Sequence, residues 1–186
     1  MRLETERLIL REWEDRDRGP YATFNADPEV RRYYYPELKT AAETNAMVDD
    51  MIADLARDGF SFLPVERKSD GAFIGEIGLT RIDQLTMDAM ERPCPVELGW
   101  FLGRAFWGQG YATEAARAWV DHAFGVLKFP ELVSFAQAGN SASIRVMERL
   151  DMTRDPQASF EDPTVPEGHW QRPHVIYRLV NPALRR

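Results

Sequence analysis

The sequence has almost no cysteine, since Cys94 is the only one in 186 residues. An internal disulfide is therefore excluded, and a lone thiol between two prolines is better explained as an incidental loop residue than as a nucleophile. Histidine is also scarce, with three in the chain. None of the three belongs to an H-E-x-x-H pattern or accompanies paired cysteines, so we predict no metal site.

Long apolar runs are absent as well. No stretch approaches the ~18 apolar residues that a membrane span needs, and the mean hydropathy is −0.43. The first residues, Met1–Leu10, interrupt their apolar positions with acids, unlike a signal peptide. We therefore expect a soluble, cytoplasmic protein that has no membrane partner.

Basic residues are outnumbered by acidic ones. The chain has 23 Lys and Arg against 30 Asp and Glu, which gives a net charge of −7. This is the wrong sign for a broad surface that grips nucleic-acid phosphates, so we expect no nucleic-acid partner. The length and the hydrophobic content of 44% fit one ordinary domain over residues 1–186.

The first part of the chain predicts a strand followed by helices. Arg7–Trp13 alternates as a strand does, and a short helix follows to about Asn25. Asp27-Pro28 combines an N-cap residue with a proline at the first helical position, which predicts a second short helix. Thr40 opens a capping box, and helical periodicity then continues to a natural stop at Gly59.

The second part predicts strands that alternate with helices. Phe60–Glu66 and Ala72–Arg81 read as a hairpin, and Val96–Leu102 as the next strand. Asp83–Pro95 and Asp155–Pro173 read as long loops. The remaining predicted elements are a helix from Ala112 to Leu127, a strand at Leu132–Gln137, a helix at Ser141–Leu150 and a strand at His174–Val180. This order favours an α+β fold with a mixed, mostly antiparallel sheet flanked by helices.

A glycine-containing turn joins the strand Val96–Leu102 to the helix after it. Gly108 and Gly110 lie in this turn, which presents free backbone amides and the positive end of the helix dipole to an anion. Glycine allows a phosphate to approach these amides closely. No Gly-Lys-Ser/Thr follows, and the third glycine of a dinucleotide fingerprint is missing. The turn therefore predicts a pyrophosphate site of another type.

Five ordered segments carry a resemblance to a known family: Leu3–Arg11, Asp27–Val30, Ile74–Leu79, Trp107–Ala115 and Asn140–Leu150. The chain resembles the GNAT superfamily of acetyl-CoA-dependent N-acetyltransferases and, within it, the RimJ/RimL-like branch of ribosomal-protein N-alpha-acetyltransferases. The resemblance implies the GNAT fold, acetyl-CoA as co-substrate, and direct attack of a primary amine on the thioester. Alanine at position 105 replaces the Arg or Gln that opens the superfamily's pyrophosphate motif, which removes a side-chain contact but leaves the amides.

The resemblance also implies which residues contact the co-substrate. The backbone of Phe101, Leu102 and Gly103 would pair with the pantetheine arm, and Asn140 and Ser143 would contact it near the thioester. A strand N–H near Phe101 would stabilise the tetrahedral oxyanion. The pyrophosphate would be held by the backbone of Trp107, Gly108, Gln109, Gly110, Tyr111 and Ala112.

The reaction needs a route for the amine proton and a donor to the departing thiolate. Glu97 is the first candidate base, by family analogy and because it shares a strand face with Phe101; a solvated strand carboxylate is the alternative interpretation. Glu76 is the second candidate base. Many GNAT enzymes protonate the thiolate with a tyrosine seven residues after the asparagine, where this chain has Met147. The RimJ/RimL-like pattern suggests Ser143 as the donor instead, with ordinary first-turn helix chemistry as its alternative.

Aromatic residues are the candidates for binding the amine. Tyr33, Tyr34 and Tyr35 lie where the early helices of related enzymes form one wall of the acceptor site, and core packing is the alternative. Trp170 precedes the last strand, near where the family closes that site. The Asp155–Pro173 loop is long enough to act as a lid over a bound amine.

Several functions remain open from the sequence. The acceptor amine belongs either to a protein N-terminus or to a small molecule such as an aminoglycoside or polyamine, and an acidic surface attracts both. A third hypothesis is that the protein is not an enzyme but a CoA-binding module that has lost catalysis. It is motivated by Ala105, Met147 and Asp151, which depart from the family pattern. Asp151 stands where the family has a helix-ending glycine, and aspartate tolerates the left-handed conformation better than most residues. Both a monomer and a homodimer fit the sequence.

Overall fold

The computed structural model describes residues 1–184, apart from the side chains of residues 156–158. The strands are β1 (Leu3–Glu4), β2 (Leu8–Leu10), β3 (Phe62–Arg67), β4 (Ala72–Arg81), β5 (Val96–Leu102), β6 (Glu131–Gln137), β7 (Thr153–Glu161) and β8 (Pro173–Val180). The helices are α1 (Asp15–Asn25), α2 (Ala41–Asp58), α3 (Gln84–Ala89), α4 (Tyr111–Gly125) and α5 (Ser141–Arg149). Within the described residues, no helix is both long enough and apolar enough to cross a membrane.

The strands form one sheet in the order β1-β2-β3-β4-β5-β6-β8-β7. Neighbouring strands are antiparallel except for β5 and β6, which are parallel. Their register contains one pair, Glu97 with Val133, so the two strands separate beyond that point and a gap opens towards their carboxyl ends. The predicted α+β class with a mixed, mostly antiparallel sheet is confirmed.

Helices cover both faces of the sheet. On one face, α4 and α5 bury an apolar cluster that includes Leu98, Trp119 and Met147. Trp119 is fully buried, and its indole nitrogen donates a hydrogen bond to the Ile77 carbonyl at 2.9 Å. On the other face, α1 and α2 pack around Phe101 with a second cluster. Each face of β5 therefore meets a different layer of helices, as alternation along a strand requires.

Local signals in the sequence determine several element ends. The Thr40 hydroxyl accepts from the Glu43 amide at 3.2 Å, and the Glu43 carboxylate accepts from the Thr40 amide at 2.7 Å, which completes the predicted capping box. Gly59 ends α2 in the left-handed conformation, with φ of 77°. The predicted bounds of β4 and β5 are the observed ones. These predictions are confirmed because each rests on a local interaction.

The predicted short helix after Asp27-Pro28 is wrong. The Asp27 carboxylate does accept a hydrogen bond from the Glu29 amide at 2.9 Å, as a capping residue does, but the chain then continues as turns. The reason lies in Arg31, which is buried and donates to the carbonyls of Pro36 at 2.7 Å and Glu37 at 3.0 Å. This side chain folds the segment around itself, which a continuous helix would not allow.

The two predicted long loops are also partly wrong. Asp83–Pro95 contains α3, which the Asp83 carboxylate caps by accepting from the Thr86 amide at 2.9 Å. Asp155–Pro173 begins with much of β7, which pairs with β8 at the edge of the sheet. The register of this pair shifts between Asp155 and Phe160. An edge strand tolerates such an irregularity, and this explains why its sequence reads as a loop; the side chains of residues 156–158 lie outside the described part.

Candidate active site

Two cavities meet at the gap between β5 and β6. The smaller has a volume of about 330 Å³ and the larger of about 450 Å³. The residues that line both are Tyr33, Tyr34, Trp100, Phe101, Asn140 and Ser143. Ligands bound in the two cavities would therefore come into contact beside these six side chains.

The larger cavity is built on the turn before α4. Gly108 has φ of 72°, and Gly110 caps the helix with φ of 82°. A Cβ atom added at Gly108 would have no other atom within 4 Å, so the space over the turn is open. The Gln109 side chain bends back and donates to the Ala105 carbonyl at 2.9 Å. An anion therefore has free access to backbone amides at the positive end of a helix.

Cationic side chains surround this turn. Arg7 donates to the Gln109 carbonyl at 3.1 Å and pairs with Glu114 at 2.6 Å, which ties the N-terminal strands to α4. Arg32, Arg145 and Arg149 line the cavity and are exposed. These arginines complement a ligand that carries phosphates, and the sequence prediction had not included them. The spacing of four residues between the two arginines on α5 was the available signal, because it places them on one helix face.

The backbone of β5 presents alternate residues to the gap. The Gly103 amide donates a hydrogen bond to the carbonyl of Ile74 on β4 at 3.0 Å. The Phe101 carbonyl oxygen also faces β4, because a Cβ atom added at Gly75 on that strand would lie 2.1 Å from it. The backbone of Phe101 and Gly103 is therefore directed to β4. Since hydrogen-bonding direction alternates along a strand, the amides of Trp100 and Leu102 face the gap.

This arrangement corrects part of the predicted pantetheine contact. Of the predicted residues Phe101, Leu102 and Gly103, Leu102 alone directs its backbone to the gap. Its carbonyl already accepts from the Trp107 indole nitrogen at 2.8 Å. Trp100, which the sequence prediction omitted, also faces the gap, and its carbonyl accepts from the Tyr34 hydroxyl at 3.4 Å. Phe101 lines both cavities, while its backbone is directed to β4.

Ser143 lies where the two cavities meet, in the first turn of α5. The Asn140 side-chain oxygen caps this helix by accepting from the Ser143 amide at 3.2 Å. The Trp100 indole nitrogen donates to the Ser143 hydroxyl oxygen at 3.3 Å. An indole N–H can only donate, so the hydroxyl keeps its own hydrogen for another acceptor. Ser143 is therefore oriented as a hydrogen-bond donor into the junction.

Glu76 and Glu97 line the smaller cavity from the same face of the sheet. The register pairs Glu76 with Phe101, and Glu97 lies four residues before Phe101 on β5. Burial raises the pKa of Glu97 to about 8. Burial also raises the pKa of Glu76 to about 8, although a hydrogen bond from Tyr21 opposes the shift. Both carboxyl groups can therefore exchange a proton near neutral pH.

Aromatic side chains from two distant segments close the smaller cavity. The ring centroids of Tyr33 and Trp170 are 6.0 Å apart, and those of Tyr35 and His169 are 5.6 Å apart. Tyr34 packs on Phe101 at 5.5 Å. The structure thus brings together the four aromatic residues that the sequence singled out for the acceptor.

The three tyrosines line the smaller cavity directly, whereas Trp170 packs behind Tyr33. Gln171, which the sequence prediction missed, lines the cavity next to it. Its side-chain nitrogen donates to the carbonyls of Arg32 at 2.8 Å and Tyr34 at 3.0 Å. Gln171 therefore joins the β7–β8 connection to the tyrosine segment. No sequence signal marked this glutamine. In the part of the chain that the structure describes, no group of three or more His, Cys, Asp or Glu could hold a metal ion.

Comparisons with known proteins agree with this geometry. The domain family described as acetyltransferase (GNAT) domain matches residues 7–153. The Bacillus subtilis (strain 168) protein YkkB is 34% identical over 152 residues, which cover 81% of this chain and 84% of that protein. The N-acetyltransferase p20 of Bacillus licheniformis is 29% identical over 157 residues, with 82% and 83% covered.

Solved structures show the same fold. A GNAT-family acetyltransferase from Bacillus anthracis superposes with a TM-score of 0.79 at 23% identity, covering 97% of this chain and 99% of that chain. An acetyltransferase from Agrobacterium tumefaciens str. C58 has a TM-score of 0.76 at 30% identity, covering 96% and 94%. RimL, a ribosomal L7/L12 alpha-N-protein acetyltransferase solved with coenzyme A, has a TM-score of 0.76 at 16% identity, covering 97% and 98%.

The sheet with its gap, the open turn before α4 and the matched domain define an acyltransferase fold, and the chain belongs to the GNAT acetyltransferase family. Relatives along most of its length are named N-acetyltransferases. The protein is accordingly an N-acetyltransferase.

Proposed function

We propose that this enzyme transfers an acetyl group from acetyl-CoA, held in the larger cavity, to a primary amine held in the smaller one. The observation that carries the proposal is the junction of the two cavities at Ser143 and Trp100, with Glu97 on the amine side. Acetyl-CoA supplies the activated acetyl group as a thioester. The chain supplies binding, orientation and proton transfer.

The residues of the larger cavity fit a CoA-shaped ligand. The open turn offers the amides of Gly108 to Ala112 to a pyrophosphate, whereas the predicted contact from the Trp107 amide is wrong, because this amide already donates to the Arg104 carbonyl at 3.2 Å. The arginines on α5 add positive charge beside the turn. The gap-facing amide of Leu102 can hydrogen-bond an extended arm, as an added strand would. The Trp100 amide lies at the junction, where it can donate to the carbonyl oxygen of the acetyl group as negative charge develops there.

Proton transfer is assigned to Glu97 and Ser143. The raised pKa of Glu97 lets its carboxylate accept the proton of an attacking amine near neutral pH. Glu76 has a similar pKa, but the Tyr21 hydroxyl holds its carboxyl group, so Glu97 is the freer base. Ser143, which accepts a hydrogen bond from Trp100, donates its hydrogen to the departing sulfur and regains a proton from water, while Glu97 releases the amine proton to water.

Two acceptor classes are compared by experiment. The structural likeness to RimL suggests a protein N-terminus, and the walled smaller cavity suggests a small amine. The purified protein is incubated with acetyl-CoA and either N-terminal peptides or small amines, and free CoA thiol is measured. We expect thiol release that requires an amine and that Glu97→Gln reduces. Stabilisation by CoA without amine-dependent release would show instead a CoA-binding module without catalysis.

A further inference from the structure

Two buried oxygen atoms of residues that line the smaller cavity have no hydrogen-bond partner within the protein. Among the side chains that the structure describes, the buried oxygen and nitrogen atoms that lack a hydrogen-bond partner within the protein are Glu76 Oε2 and Gln171 Oε1. Glu76 is 6% exposed and Gln171 is 1% exposed, and both line the same cavity. A buried acceptor without a partner destabilises a fold, so a pair of them in one cavity points to a ligand that carries donors.

The position of each oxygen is fixed by its neighbours. The Tyr21 side chain hydrogen-bonds to the carboxyl group of Glu76, and Oε2 is the oxygen left over. The Gln171 nitrogen donates to the two carbonyls of Arg32 and Tyr34. Exchanging the nitrogen and oxygen of this amide would place an oxygen against two carbonyls, so Oε1 must face away from them.

The acidic groups around the cavity favour a cation, because a bound ammonium group would stabilise the ionised form of these carboxyl groups. Glu97 from β5 and Asp162 from the β7–β8 connection face it together with Glu76, and His174 from β8 lies 4.0 Å from Asp162. Arg31 is the strong cation in the lining; it donates to the carbonyls of Pro36 and Glu37 and to the Asn25 side chain, and its charge partly offsets the rise in the pKa of Glu76 that burial causes, which favours the ionised carboxylate.

The aromatic lining adds to this preference. Tyr33, Tyr34 and Tyr35 come from the segment before α2, Tyr21 from α1, and Trp100 from β5. The faces of such rings attract an ammonium group. Carboxyl groups and aromatic faces together describe a site for an organic cation.

We propose that Glu76 and Gln171 bind a second amino group of the acceptor, so that the preferred substrate is a small diamine. The inference rests on the proposed function, in which the first amino group reacts beside Glu97 and Ser143. One ammonium group has enough hydrogens to donate to Glu76 Oε2 and to Gln171 Oε1 at once. The cavity volume of about 330 Å³ suits a small ligand.

A peptide N-terminus fits these groups less well. It has one amino group, and its next donor is a neutral peptide N–H. The peptide chain would also have to leave past the Tyr33–Trp170 and Tyr35–His169 contacts.

Binding to the enzyme–CoA complex tests the inference without requiring turnover. The probes are 1,5-diaminopentane, 1-aminopentane of the same chain length, and a tripeptide with a free N-terminus. We expect the wild type to bind the diamine about tenfold more tightly than the monoamine or more, since a hydrogen bond to a charged group has this effect. Glu76→Gln should reduce the ratio to about twofold or less, and the exposed control Glu91→Gln should leave it unchanged.

Several outcomes would overturn the inference. They are equal binding of the two amines by the wild type, an unchanged ratio in Glu76→Gln, and tighter binding of the tripeptide than of the diamine. If Glu76→Gln does not fold, Gln171→Met tests the same ratio. Diamine binding without amine-dependent thiol release would refute the proposed function and leave this binding site standing, whereas equal release with both amines would do the reverse.

Discussion

The ionisation of Glu97 gives the most direct test of the proposed chemistry. With a pKa of about 8, about 9% of Glu97 is ionised at pH 7 and about 91% at pH 9. If the carboxylate is the base, kcat/KM therefore rises about tenfold over this range through Glu97 alone. An ordinary glutamate with a pKa of 4.5 would be fully ionised throughout and would give no rise.

The assay must separate this effect from the ionisation of the amine substrate. The ratio of kcat/KM for wild type to that for Glu97→Gln removes the substrate's contribution, because the same amine ionises in both reactions. We expect a ratio of about 10²–10⁴ at high pH that falls about tenfold between pH 9 and pH 7. The matched variant Glu76→Gln should retain the pH-dependent rise.

A flat ratio for Glu97→Gln would refute the assignment of the base. If, with a monoamine substrate, the ratio of wild type to Glu76→Gln rose with pH instead, the base would be Glu76. If neither the ratio for Glu97→Gln nor that for Glu76→Gln depended on pH, neither carboxylate would be the base, and the proton of the attacking amine would pass directly to water.

Two further predictions concern the larger cavity and the junction. Gly108→Ala and its control Gly71→Ala each place alanine at positive φ in open space, so each variant should lose about 1 kcal/mol of stability. Of the two, Gly108→Ala alone should reduce the rise in Tm that CoA causes. An undiminished rise in Gly108→Ala would contradict the position of the turn site. Trp100→Phe should lower kcat about fivefold by removing the hydrogen bond to Ser143, but it should cause little further loss in a Ser143→Ala variant. Independent, additive losses would show that the tryptophan does not act through the serine.

Elements whose cause is local could be predicted from the sequence. The capping box at Thr40, the strand Val96–Leu102 and the glycine turn each depend on residues that are close in the chain. Asp151 has φ of 60°, as expected for an aspartate that replaces a helix-ending glycine. The order of these elements predicted the fold class, whereas the candidate bases Glu97 and Glu76 came from the family resemblance and their strand positions, and their role stays a prediction.

Features that depend on distant contacts could not be predicted. The predicted helix after Asp27 is an exception that fails for a local reason, because Arg31 cancels the helix signal by binding the nearby carbonyls of Pro36 and Glu37. Gln171 reaches the carbonyls of Arg32 and Tyr34 across more than half of the chain. The direction of the Phe101 backbone followed from strand register, which a strand pattern alone does not determine.

The single register pair between β5 and β6 has a mechanical consequence. The hydrogen-bonded ladder is interrupted there, whereas the apolar cluster under α4 and α5 continues from Leu98 to Leu179. Beyond this pair the spacing of the two halves depends on apolar packing, which has no preferred direction, rather than on a ladder of backbone hydrogen bonds. The width of the cleft is thus set by side chains, and a ligand that hydrogen-bonds to both strands would join the two halves of the sheet directly.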